Sequence, residues 1–232
     1  MPDRTATASF IPVIAIDGPG GSGKGTVALA VARRLNWHVL DSGALYRLVG
    51  LAAAKRGIPL DDEAAVAAMA RGLNTSFEAD GRIMLDGENA TGAIRTDQAG
   101  EAASRVATLT AVRFALLERQ RAFRRRPGLV ADGRDMGSVI FPDARLKVFL
   151  TAEVGERALR RYNQLKAKGI DVSLPTLSQE MTDRDRRDAE RAASPLRACP
   201  DARVLDTTGM SIELVVSAVL RWAQEAYPDA TN

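Results

Sequence analysis

The chain has 232 residues, enough to bury one good-sized core with a smaller inserted lobe, and its 46% apolar content is ordinary for a globular protein. Its 32 basic residues, mostly arginine, stand against 29 acidic ones, and this net charge of +3 excludes a protein that coats nucleic acid by bulk charge. The single cysteine, Cys199, excludes an intramolecular disulfide and points to a reducing compartment; residues 1–10 carry no apolar signal-like stretch and no run approaches about 18 apolar residues, so a cytoplasmic protein away from membranes is expected.

Residues 11–17 read as a buried strand, and Gly18-Pro19-Gly20-Gly21-Ser22-Gly23-Lys24-Gly25-Thr26 follows at once. This is the G-x-x-x-x-G-K pattern of a loop that turns consecutive backbone N–H groups toward phosphate oxygens, with the start of a helix adding its positive dipole end. All nine residues are candidates to bind a nucleoside triphosphate, and Lys24 is a candidate to place a point charge at the transferring phosphate. Val27, Leu29, Val31 and Leu35 give the next helix its apolar stripe. Gly25 stands where a magnesium-binding Ser or Thr is expected, and Thr26 comes one step later. This leaves open whether Mg2+ is held through Thr26 or mostly through water and nucleotide phosphates.

Residues 37–40 read as a second strand, and a helix follows from about Ala44 to Arg56, with Ser42 as its cap. A helix from Asp61 to about Gly72 begins with acidic residues in its first turn. Residues 75–78 and 82–85, with turns at Ala79-Asp80-Gly81 and Asp86-Gly87, read as a small antiparallel meander. Residues 60–95 are therefore read as an inserted lobe between core segments 11–59 and 96–226. Helices resume over about 98–125, 154–168, 176–193 and 211–226. Strands fall at 129–131, 146–150 and 204–206. This alternation implies an α/β fold, a parallel sheet covered by helices on both faces. Residues 1–10 and the tail from Tyr227 are expected to be flexible.

Parallel sheets place their ligand crevice beyond the carboxyl ends of the strands. Three further clusters fall there: Asp41-Ser42-Gly43-Ala44-Leu45-Tyr46-Arg47, Asp132-Gly133-Arg134-Asp135-Met136-Gly137, and the charged run 183–191. These segments, with the pair Asp188 and Arg191, closely resemble the bacterial cytidylate kinase family, and the resemblance runs from Ile11 to about Leu220. It implies transfer of the γ-phosphate of ATP to CMP or dCMP with Mg2+, by a monomer, and assigns residues 60–95 to a monophosphate-binding insert. It places Arg47 and Arg134 on the CMP phosphate. Ser42, Ser104, Arg113, Asp135 and Arg191 fall on the cytosine pocket, Asp188 on the sugar hydroxyls, and Arg184 on a phosphate contact.

The residue chemistry agrees with that implication. An acceptor phosphate is already an anion, so transfer to it needs alignment and positive charge rather than a general base. Cytosine offers an amine donor at N4 and an acceptor at N3, whereas uracil reverses both. Asp135 suits the amine and Arg113 suits N3, so CMP is expected over UMP. Arg157, Arg160 and Arg161 share a helix, 154–168, read as a lid that folds arginines over the ATP phosphates; Arg157 and Arg161 join Lys24 and Arg134 as catalytic candidates.

Blander readings stand beside these. Asp132 either terminates a strand or holds a magnesium-bound water, and Asp188 with Arg191 has the i, i+3 spacing of a surface ion pair. His38 reads as a satisfied core residue rather than a catalyst. The run Arg119, Arg121, Arg124, Arg125 and Arg126 reads as a solvated face. A kinase for UMP, AMP or shikimate is the nearest alternative. A nucleic-acid-binding ATPase lacks aromatic residues among its arginines, and a GTPase lacks an Asn-Lys-x-Asp motif.

Overall fold

The computed structural model describes residues 10–78, 81–167 and 169–230. In chain order its elements are β1 (Val13–Asp17), α1 (Lys24–Leu35), β2 (His38–Asp41), α2 (Ser42–Lys55), α3 (Glu63–Arg71), β3 (Thr75–Phe77), β4 (Ile83–Leu85) and β5 (Glu88–Asn89). There follow α4 (Asp97–Val106), α5 (Thr110–Arg121), β6 (Leu129–Gly133), β7 (Leu146–Thr151), α6 (Val154–Lys166), α7 (Leu174–Glu190), β8 (Arg203–Asp206) and α8 (Ile212–Ala226). A π-helical turn, Met136–Ile140, sits between β6 and β7.

The main sheet runs β2-β6-β1-β7-β8, and every pairing in it is parallel. All five residues of β1 are buried, as expected of a central strand covered on both faces. The pleat divides them: Val13 and Ala15 join the apolar cluster under α2 to α5, while Ile14 and Ile16 join the one under α1 and α8. Each fully buried Val or Ile contributes about 1.5–3 kcal/mol. From β1 the chain goes out to β2, returns through β6, then crosses to β7 on the other side. The connections leaving the neighbouring strands β1 and β7 therefore run to opposite edges of the sheet, toward β2 and toward β8, and this opens a crevice at the carboxyl ends.

The antiparallel sheet β3-β4-β5 packs through Leu85 onto the same cluster that takes up Val66, Ala67, Met69 and Ala70 of α3. Phe77 meets Phe123 edge-on at 5.2 Å. A third, smaller cluster holds α6 to α7 through Ala158, Leu165 and Leu177, apart from the two main ones. Of the expected meander turns, Ala79 and Asp80 lie outside the described residues, as do 1–9, Lys168 of the expected lid, and 231–232.

Several expectations need correction. Leu29 is 43% exposed, and the buried stripe of α1 is Val27, Ala28, Val31 and Ala32. The helix expected over 98–125 breaks at residues 107–109 and ends at Arg121. Asp41, not Ser42, caps α2, its Oδ1 accepting from Ala44 N at 3.1 Å. His38 is exposed, because β2 is an edge strand, and its ring bonds the Arg126 carbonyl at 2.8 Å.

The basic run is not merely solvated. Arg121 Nε donates to the Ile140 carbonyl at 3.2 Å, and Arg124 donates to the Ile11 carbonyl at 2.9 Å and to Asp143 at 2.6 Å. Nor does Tyr227 begin a loose tail. It is buried, donating its hydroxyl to Val13 O at 2.7 Å and accepting from Arg145 N at 2.8 Å. Phe10, expected within the flexible start, stacks on it at 6.1 Å.

Candidate active site

Gly18 leaves β1 with φ of 154°, and a methyl group there would stand 2.0 Å from the Leu150 carbonyl oxygen. Only glycine lets the phosphate loop pass so close to β7. Lys24 opens α1 from inside this loop, buried, with Nζ donating to the Pro19 carbonyl at 3.0 Å. Gly23 supplies no side-chain cap to α1, so the first helical N–H groups face the loop's own concavity. The buried Ser22 hydroxyl has no protein partner.

A cavity of about 1050 Å³ opens in front of this loop. Of the sequence-derived candidates, Gly20, Gly21, Gly23, Lys24, Gly25, Thr26, Arg47, Ser104, Arg161 and Arg184 line it. Arg134, just past the end of β6, and Arg184, on α7, lean over the loop: a methyl on Gly20 would lie 3.6 Å from Arg134 Nη2 and 3.8 Å from Arg184 Nε. Arg47, on α2, is steadied by the Ile94 carbonyl at 2.9 Å. Arg184 Nε is buried without a protein partner. Burial, and then the charge of Arg134, push the Arg184 guanidinium down to about 10. Cations held this close repel one another, and an anion between them removes the penalty.

Behind these arginines lies a second, buried group. Asp188 accepts from Arg134 Nε at 2.8 Å. Burial alone would raise the Asp188 carboxyl, but the Arg134 charge and hydrogen bond outweigh it and hold it low. Arg191 stands 3.9 Å from Asp188 and spends Nη2 on the Ser194 carbonyl at 2.8 Å, so the surface-pair reading of 188 and 191 gives way to a buried network. Arg113 and Asp135 form a short, buried ion pair, and Arg113 also donates to the Ala107 carbonyl at 3.1 Å. Its guanidinium lies 5.8 Å from the centre of the Tyr46 ring. Ser42 and Ser104 are both buried; Ser42 abuts Gly133, and Ser104 Oγ lies 3.4 Å from Arg187 Nε.

On α6 the three arginines part company. Arg157 is 3% exposed, donating to the Gly20 carbonyl at 3.0 Å, to the Ala152 carbonyl at 2.9 Å, and through both Nη atoms to Asp185 at 3.1 and 2.5 Å. Arg160 donates to the hydroxyl and carbonyl of Thr207 at 3.1 and 2.6 Å. Arg161 reaches across the cavity mouth to Asp97 at the start of α4.

Among the described residues, no three His, Cys, Asp or Glu side chains converge to hold a metal unaided. Asp132 is buried near Lys24 with Oδ1 unpartnered, and Thr26 lines the cavity. Hard oxygens of this kind fit Mg2+ held largely through water and substrate phosphates. Asp132 lies within β6 rather than at its end. Burial raises the Asp132 carboxyl and lowers the Lys24 ammonium, whose charge is also opposed by Arg134.

Three residues that sequence reasoning passed over belong to this assembly. Asp17 is the one acid of an otherwise apolar strand, and that oddity was the available signal. Asp185 is hidden in a run of alternating charges that reads equally well as a solvated helix. Thr207, buried beyond β8, carries no pattern of its own.

A parallel sheet with a phosphate loop at its central strand, facing arginines from three elements, defines the class of P-loop phosphotransferases. The cytidylate kinase family model matches residues 14–225. The chain is 58% identical to the cytidylate kinase of Pseudomonas aeruginosa over 216 residues, covering 91% of this chain and 94% of that one. It is 55% identical to the cytidylate kinase of Methylococcus capsulatus over 216 residues, covering 92% and 97%. It is also similar to a solved structure of an uncharacterized protein from Eubacterium ventriosum, with a TM-score of 0.47, 13% identity and 93% and 99% coverage. The chain belongs to the cytidylate kinase family.

Proposed function

We propose that this chain moves the γ-phosphate of ATP to CMP or dCMP, giving ADP and CDP or dCDP. The carrying observation is the convergence of Arg134 and Arg184 over Gly20, which puts cations from the acceptor side directly against the phosphate loop. ATP lies with its phosphates on residues 18–26. Lys24 follows the γ-phosphate, released from the Pro19 carbonyl. Arg47, Arg134 and Arg184 hold the CMP phosphate in line with it, where planar guanidinium groups suit bidentate contact. Mg2+ bound with ATP supplies screening of the β- and γ-phosphate charge, with Thr26 and Asp132 fixing its waters.

The base sits against Arg113, Asp135 and Arg191, with Ser42 and Ser104 at its edge and Asp188 toward the sugar. Arg113 and Asp135 open their ion pair to take N3 and the N4 amine. Uracil would face donor with donor and leave both groups unpaired. Residues 60–95 act as the monophosphate-side lobe and α6 as the lid, Arg157 and Arg161 closing on the triphosphate and excluding water. Among the described residues no helix is long and apolar enough to cross a membrane. On this reading the protein is a cytoplasmic monomer that takes small-molecule substrates and no nucleic acid.

The test is an acceptor panel of CMP, dCMP, UMP and AMP with ATP and Mg2+, scored for diphosphate product. CDP and dCDP should dominate. Equal kcat/KM for CMP and UMP would refute the base pocket, and absence of CDP would refute the function.

A further inference from the structure

The turn that carries Asp135 has an unusual cap. Met136–Ile140 is a π-helical turn, and its first N–H groups lack partners within it. Asp135 is the residue placed to cap it, yet its side chain makes no capping bond, because its carboxylate is turned to Arg113. The two amides are taken instead by Asp17, whose Oδ1 accepts from Met136 N at 2.8 Å and Oδ2 from Gly137 N at 2.9 Å. Asp17 is the last residue of β1, paired in register with Gly133 of β6 and followed at once by Gly18 of the phosphate loop.

We infer that Asp17 is the positioning residue of the base pocket: by capping the 136–140 turn from a neighbouring strand, it frees the Asp135 carboxylate to select the acceptor base. The chemistry requires a carboxylate. Two N–H donors converge on its two oxygens, and only an acceptor-only group meets both. An amide would turn its own NH2 toward one of those N–H groups. The vacated cap would then compete for Asp135, the nearest acid in sequence, and Arg113 would lose its partner. Asp17 touches neither substrate in this arrangement. It acts through the loop, and it ties that loop rigidly to the strand from which the phosphate loop springs.

The inference rests on the reading that Asp135 meets the base, so two variants are compared. In Asp17→Asn, kcat/KM for CMP should fall at least about ten-fold and the CMP-to-UMP ratio should collapse, while the KM for ATP stays within about two-fold. Asp135→Ala should lose the same discrimination. Discrimination lost in Asp135→Ala but kept in Asp17→Asn overturns the role of Asp17 and leaves the pocket standing. Discrimination kept in both overturns the pocket and the inference together. If Asp17→Asn does not accumulate folded, Asp17→Ser, which keeps a single acceptor, is scored by the same ratio. In the unmutated protein, the Met136 and Gly137 amides should exchange slowly with deuterium; fast exchange at both overturns the cap.

Discussion

Arg134 and Asp188, 54 residues apart in sequence, meet through a 2.8 Å bond from Nε to Oδ2, with both side chains largely buried. The bond occupies the inner edge of the guanidinium and leaves its Nη2 toward Gly20 and the phosphate loop. Removing the acid strands a buried cation, a change that costs about 3–5 kcal/mol in comparable pairs. Asp188→Ala should therefore lower stability by an amount of that order and raise the KM for CMP. Thermal unfolding and steady-state kinetics check both; unchanged values would show that Arg134 orients itself without help.

Asp185 and Arg157 give a different prediction, because they join α7 and α6 to the loop itself. Arg157 also holds the Gly20 carbonyl, so the pair sets the loop's backbone. Asp185→Asn weakens one charged, two-pronged contact, worth roughly 1.5–3 kcal/mol per charge-assisted bond. The KM for ATP should rise several-fold, with a smaller effect on CMP. An effect confined to CMP would place Asp185 on the acceptor side.

Lys24→Ala removes the one ammonium inside the phosphate loop. Its charge matters where charge develops in transfer, so turnover should fall by roughly a hundred-fold or more while the fold persists. Turnover measured at saturating ATP and CMP, beside a melting curve, is the check. A variant as fast as the parent would take the lysine out of the mechanism.

Asp17 makes a prediction about stability and pH. Burial pushes its carboxyl from 3.8 up to about 6, against the pull of the Gly137 and Met136 amides. The folded state thus keeps this proton when the unfolded chain has already lost it. Stability from this group is fully present below pH 3.8 and is lost as pH rises to about 6, amounting to about 3 kcal/mol. Denaturant unfolding of the parent should therefore lose ground to Asp17→Asn between those pH values. Parallel pH profiles for the two would mean that Asp17 is ionised throughout.

Much of the fold was legible because its signals are local. The apolar strand at 13–17, the glycines after it and the alternation of periods required no knowledge of packing. Arg134 and Asp135 were legible as chemistry after a strand; the structure sets Arg134 over Gly20 and pairs the buried Asp135 with Arg113. What escaped depends on partners far along the chain. Asp17 meets residues about 120 positions away, and Thr207 is engaged by Arg160 across 47. His38 was misjudged because a strand's place at the sheet edge is a property of topology, not of its own four residues. Tyr227 was misjudged because its hydroxyl bonds to Val13 and Arg145 and its ring contacts with Phe10 and Trp37 all reach distant segments, while the composition around it resembles a tail.

Gly25 carries one last implication. A methyl group there would sit 3.0 Å from Asp132 Oδ2, tighter than ordinary contact allows. A serine at this position, the commoner companion of a phosphate-loop lysine, would crowd the very acid beneath it. The two positions are therefore coupled: a side chain at position 25 needs the Asp132 carboxylate to give way by a few tenths of an ångström, so what position 25 tolerates depends on what stands at 132.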